Sequence, residues 1–237
     1  MERNFVDGYL EWQSDPEITG VNKLPQHANL MPYSDFEEAK KCNRLESSCC
    51  RLLNGKWKFK LYKNYAYRPT DFAQPHYDAH NWDSVIVPGS WTMQGYDQNQ
   101  YCNVRYPWEG HEDICPPNAP TKHNPVGCYL KKIHINKSVL SKRVVICFDG
   151  VEAAFYLYVN GERVGYSESS FNRSEFDISR YLVEGSNISG VELARMPGYV
   201  AHGGHFQRCL YLHHRARIYS RLYHKCRAER NACGRLF

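Results

Sequence analysis

The chain has 237 residues, 42% of them hydrophobic, with 30 Lys+Arg against 25 Asp+Glu for a formal charge of +5. This is a globular composition, enough to bury the core of one large all-β domain or two small ones. No run of about 18 apolar residues exists to span a bilayer, and Met1-Glu2-Arg3 leads into no apolar signal core, so no membrane partner and a cytoplasmic location are expected.

The charge divides unevenly. Residues 195–237 hold nine basic residues and one acid, Glu229, with five of the eleven histidines, so this tail supplies the whole positive balance. The ten cysteines are scattered, and Cys128 and Cys147 sit in strand-like runs, which favours buried free thiols over disulfides.

Residues 1–50 are broken by Pro16, Gly20, Pro25 and Pro32 and form an irregular arm. A short helix is expected over residues 34–41, with Ser34 as its cap and acids in its first turn. A tight turn at Asn54-Gly55 then leads into alternation, Trp57, Phe59 and Leu61 facing one way with lysines between. Residues 82–88 make another half-buried strand, ended by Pro88. The segment Tyr101-Cys102-Asn103-Val104-Arg105-Tyr106-Pro107-Trp108 pairs aromatics with one amide, as a sugar site requires for stacking and hydrogen bonding, although aromatics also fill sandwich cores.

A further strand opens at Asn124 and runs through Ile133 and Ile135. Val144, Ile146 and Phe148 alternate in the next. Ala154 to Val159 then meets Asn160-Gly161, the strongest short-range hairpin signal, with Val164-Gly165-Tyr166 on the return strand. Successive strands without a helical period predict antiparallel sheet closed as a sandwich or barrel.

Seven motifs come in one order and spacing: Leu53-Asn54-Gly55-Lys56-Trp57-Lys58-Phe59, Val87-Pro88-Gly89-Ser90-Trp91, Asn103-Val104-Arg105-Tyr106-Pro107, Asn124-Pro125-Val126-Gly127-Cys128-Tyr129, Phe148-Asp149-Gly150-Val151, Val159-Asn160-Gly161 and Ser174-Glu175-Phe176-Asp177-Ile178. In this the chain resembles the amino-terminal part of bacterial β-galactosidases of glycoside hydrolase family 2, over roughly residues 10 to 188. The resemblance implies an all-β, galactose-binding-like jelly-roll sandwich over residues 51–192, an N-terminal arm over 1–50 that helps complete a subunit interface, and a non-native basic tail over 193–237. It implies that Asn103 hydrogen-bonds the galactosyl group of a β-galactoside and that Tyr101 lies beside it. It also implies that a (β/α)₈ barrel, absent from this sequence, carries the two catalytic glutamates of a retaining hydrolase acting on substrates such as lactose. The full-length family uses Mg and Na ions; no cofactor, metal ligand or catalytic residue is assigned within this chain.

The departure from the family is equally specific. After Asn187-Ile188 the family continues to a motif of the type Glu-Cys-Gln-Asp-x-Trp-Arg-Met-x-Gly-Ile-Phe-Arg-Asp-Val, and this chain does not. Synonymous codons for residues 195–209 read one base later can yield it. The sequence therefore predicts a deletion of about eight residues with a frameshift near residues 188–193, an out-of-frame tail, and an exposed sheet edge where a closing strand is lost. Glu109, Glu112 and Asp113 read as solvated loop charges. Cys209, His213, His214, His224, Cys226 and Cys233 lack structural zinc spacing, and the tail arginines imply no specific nucleic acid. The chain alone is expected to be inactive; the alternatives are a stand-alone carbohydrate-binding module and a fragment that complements a separate catalytic piece.

Overall fold

The computed structural model describes residues 10–11, 15–28, 31–43, 45–97, 109–115, 118–168 and 170–194, and the backbone of 209–214. Eleven strands appear in this part: β1 Gly20–Val21, β2 Cys50–Leu52, β3 Gly55–Tyr62, β4 Asp83–Val87, β5 Val126–Ile135, β6 Arg143–Phe148, β7 Ala154–Val159, β8 Glu162–Ser167, β9 Ser174–Asp177, β10 Gly185–Ala194 and β11 Cys209–His214. They form a seven-stranded sheet, β1-β8-β7-β10-β5-β3-β4, and a four-stranded sheet, β2-β11-β6-β9. Every pairing is antiparallel. The expected all-β sandwich is what the residues build. Among the described residues no helix is long and apolar enough to cross a membrane.

Between the sheets lies a core of Trp57, Phe59, Trp91, Tyr129, Ile146, Phe148, Phe155, Phe176, Val191 and Leu193. At about 1.5–3 kcal/mol for each large side chain removed from water, this layer dominates the folding energy. The alternation predicted for β3 holds: Trp57 and Phe59 are buried and Leu61 packs on the same cluster. Asn160 and Gly161 both have positive φ, 51° and 88°, as the tight hairpin between β7 and β8 demands.

Two expectations change. The strand β6 does not pair with the β7–β8 hairpin that follows it: the chain crosses at Asp149-Gly150, placing β6 in the smaller sheet and β7–β8 in the larger. The larger sheet is also buried on both faces at β7, whereas β3 and β4 keep one face exposed or half-exposed. On its outer side Leu10 of the arm, with Phe72 and Trp82, clusters with Tyr156, Tyr158 and Tyr166 of the sheet itself, which explains why β7 is apolar at every position.

The arm packs on its own sandwich. β1 pairs with β8, Leu24 N–H donates to the Glu175 carbonyl at 2.8 Å, and Tyr156 Oη donates to Glu11 Oε2 at 2.7 Å. Its short helix, Phe36–Lys40, is capped by Asp35, which accepts from Glu38 N–H at 2.8 Å. Ser34, expected as the cap, instead donates its N–H to the Glu38 carboxylate at 2.7 Å, one residue outside a reciprocal capping arrangement. Cys49, Cys128 and Cys147 are buried thiols outside any disulfide, and Cys42 and Cys115 are exposed ones. In the smaller sheet the backbone of Cys209–His214 pairs with both β2 and β6.

Candidate functional site

The register of β10 on β5 sets Ala194 opposite Val126. The chain leaving β10 and the chain entering β5 therefore share one end of the larger sheet. The long connection from β4 to β5, which carries Tyr101 and Asn103, returns to that same end. Tyr101 and Asn103 themselves lie outside the described residues; residues 88–97 and 109–125 are the two limbs that lead to them.

The first limb is rooted in the core. Trp91 is wholly buried, its ring 5.9 Å from Phe59, and Tyr96 meets Phe59 edge-on at 4.7 Å. Trp91 fits because position 127 is glycine: a Cβ there would lie 2.3 Å from Trp91 Cζ3 and 2.9 Å from Phe59 Cε2. The Trp91 indole nitrogen is buried without a partner among the described residues. Ser90 and Thr92 hydroxyls meet at 2.8 Å. Gln94 Oε1 accepts from Ile86 N–H at 2.7 Å and its Nε2 donates to the Ile86 carbonyl at 3.1 Å, so one amide side chain closes the outward edge of β4.

The second limb is held by Glu112. Its carboxylate accepts from the N–H groups of Thr121, Lys122 and His123 at 3.1, 2.8 and 3.1 Å, and from Thr121 Oγ1 at 3.0 Å. Burial pushes this carboxyl up, but the backbone donors outweigh it and its pKa is lowered. His111 stacks on His123 at 4.2 Å and Asn124 Nδ2 donates to the Pro120 carbonyl at 3.1 Å. Glu112, expected as a solvated charge, is thus a structural clamp. Three successive amides one loop away gave no sequence signal.

A buried polar cluster behind this end was also missed. Glu192, wholly buried two residues before β10 ends, lies 2.7 Å from Arg68 Nε and accepts from Tyr158 Oη at 3.0 Å. Burial drives the Glu192 pKa up and the Arg68 guanidinium opposes it. The contact is close in charge but poorly aligned: Arg68 Nε makes no well-formed hydrogen bond. One signal was readable, a lone acid in the apolar run Val191-Glu192-Leu193-Ala194.

Among the described residues no three His, Cys, Asp or Glu converge as metal ligands. Nothing in this geometry makes a hydrolytic carboxylate pair of Glu109, Glu112 and Asp113, because Glu112 is committed to the backbone.

Residues 50–201 match the family described as glycosyl hydrolases family 2, sugar binding domain, and the chain belongs to that family. A β-galactosidase of Priestia megaterium is 47% identical over 190 residues, covering 80% of this chain and 18% of its own length. The β-galactosidase large subunit of Leuconostoc lactis is 39% identical, covering 78% of this chain and 31% of that one. The chain thus spans between about a fifth and a third of these relatives. In fold it resembles the β-glucuronidase of Bacteroides uniformis, with a TM-score of 0.51 at 18% identity over 70% of this chain and 18% of that one.

Proposed function

We propose that residues 51–192 are the sugar-binding jelly roll of a retaining β-galactosidase, and that Asn103 hydrogen-bonds the galactosyl group of terminal β-galactosides such as lactose with Tyr101 beside it. The family match over residues 50–201 carries this reading. The register of β10 on β5 supports it by setting the exit of β10 beside the second limb of the Asn103 loop, where that limb enters β5. The chain by itself performs no hydrolysis and is cytoplasmic. Residues 193–237 are an out-of-frame tail; their nine basic residues against one acid support that origin.

Three measurements test this. The purified chain is expected to leave a chromogenic β-galactoside intact, and turnover would refute its inactivity. Titration with methyl β-galactoside should shift the Tyr101 ring signal, and Asn103→Ala should remove that shift; an equal Tyr101 shift in the variant would refute the assignment. The coding DNA, read one base along beyond codon 188, should yield the Gln-Asp…Gly-Ile-Phe-Arg-Asp-Val motif, and its absence would sink the frameshift.

A second reading, a fragment that acts with a separate catalytic piece, is favoured by relatives named as large subunits. Restored hydrolysis on mixing the chain with an arm-deleted enzyme would support it.

A further inference from the structure

The turn between β8 and β9 meets the arm at a small cleft lined by Leu24, Pro25, Gln26, His27, Phe171, Asn172, Arg173 and Glu175. Phe171 is 89% exposed there, an aromatic face held in water against the hydrophobic effect. Gln26 and Asn172, both exposed, bring amides to the same opening. The walls are fixed in advance. Leu24 N–H donates to the Glu175 carbonyl at 2.8 Å, Lys23 Nζ to Ser167 Oγ at 3.1 Å, and the Ser167 and Ser174 hydroxyls meet at 2.9 Å.

The charge of this cleft selects its ligand. Arg173 Nη2 lies 2.6 Å from Asp149 Oδ1 and its Nη1 lies 3.4 Å from Glu175 Oε1, so its positive charge is matched internally. His27 Nε2 faces Glu175 Oε2 at 2.8 Å and its Nδ1 faces the Ala28 carbonyl at 2.6 Å, which commits both ring nitrogens. No cation remains uncompensated in this group, and a phosphate or carboxylate ligand gains nothing there. An aromatic face beside amides suits a neutral polyhydroxyl ring instead. The volume, about 200 Å³, equals roughly six or seven waters at about 30 Å³ each, room for one pyranose and not for a chain of them.

We propose that this cleft binds a single neutral sugar ring, stacked on Phe171 and hydrogen-bonded by Gln26 and Asn172. The inference rests on the reading of the chain as a sugar-binding domain, and names a site apart from the Asn103 loop. Because Phe155 pairs with Ser167 and with Leu193, the β8–β9 turn leaves the same end of the larger sheet as that loop. It stands three strands from β5, roughly 14 Å at about 4.8 Å per strand.

The test is NMR titration of the full chain, labelled at phenylalanine ring carbons, with methyl β-galactoside and methyl β-glucoside. Saturable shifts are expected in the ring signal that Phe171→Ala deletes. That variant should bind about tenfold more weakly or worse, while Phe171→Trp retains affinity; an 89% exposed side chain can be replaced without loss of the fold. Asn103→Ala should leave the Phe171 shifts unchanged. The proposal is overturned if no sugar shifts Phe171, if Phe171→Ala binds as well as the parent, or if Asn103→Ala abolishes the Phe171 shifts. Shifts that track protein concentration in place of sugar would make Phe171 a self-association contact and overturn it also. Binding that survives Phe171→Ala and fails in Asn103→Ala leaves the domain reading standing and removes only this site.

Discussion

Gly127→Ala tests whether the connection from β4 to β5 is rooted in the core through Trp91. The new Cβ would lie 2.3 Å from Trp91 Cζ3, 2.6 Å from Cε3 and 2.9 Å from Phe59 Cε2, where ordinary contact begins at 3.4 Å. Neither ring can yield into solvent, since both are 0% exposed. Trp91 must therefore shift by about 1 Å through a packed interior, an overpacking cost of about 1–3 kcal/mol, and two rings obstructing at once place it near 3. Against a domain stability of about 5–15 kcal/mol, and with an m-value of about 2–3 kcal/mol/M, the urea midpoint should fall by about 1 M. Tryptophan fluorescence in urea reads the transition. Gly20→Ala, whose Cβ would meet nothing closer than 3.4 Å, should change stability by less than about 0.5 kcal/mol. Trp91→Leu combined with Gly127→Ala should cost less than the sum of the two, because the shorter side chain removes the obstruction. A Gly127→Ala midpoint within about 0.2 M of the parent, or strict additivity in the double variant, would refute the reasoning.

Three more outcomes are expected. Glu112→Gln should release residues 121–123, read as lost amide-exchange protection at Thr121, Lys122 and His123. Because the Glu112 pKa is lowered in the fold, its contribution is present above the ordinary carboxylate range and is lost as pH falls through the depressed value; protection that is flat in acid would contradict this. Gln94→Ala should open the β4 edge at Ile86, which is 50% exposed, costing about 1–2 kcal/mol and adding concentration-dependent association by sedimentation velocity; an unchanged monomer would refute the edge role. Arg68→Met should cost about 3–5 kcal/mol by stranding a buried Glu192 carboxylate, and Glu192→Met in the same chain should recover most of it. The Glu192 pKa is already raised by burial. Arg68→Met raises it further, so the single variant should lose stability as pH rises past the carboxylate range, measured by urea unfolding across pH.

The strands were readable because their signals are local: alternation at Trp57, Phe59 and Leu61, and the left-handed pair Asn160-Gly161. What escaped was set by partners distant in sequence. β6 and β7 are separated by five residues yet belong to different sheets, and no periodicity records which sheet a strand joins. Glu112 was taken for a solvated charge because its ligands, the amides of residues 121–123, have no side-chain signature. Ser34 lost its expected capping role to Asp35 by one position, a difference decided by backbone angles. Asn103 and Tyr101 were proposed from a motif and lie outside the described residues, and the clamps on either side of them, Gly127 under Trp91, Gln94 on Ile86 and Glu112 on residues 121–123, emerged only in three dimensions.

These clamps bear on how the long connection from β4 to β5 is held. A long connection pays a loop-closure entropy that grows slowly with length, so the cost of holding its tip is set mainly by the rigidity of its two ends. Here one end is fixed by an aromatic ring driven between Gly127 and Phe59, the other by a carboxylate collecting successive amides. Both ends belong to β4 and β5 and their immediate neighbours, and none of these contacts uses a residue beyond Ala194. The contacts that fix both ends of the β4–β5 connection therefore lie before the end of β10, and a chain carrying any tail after β10 should keep them.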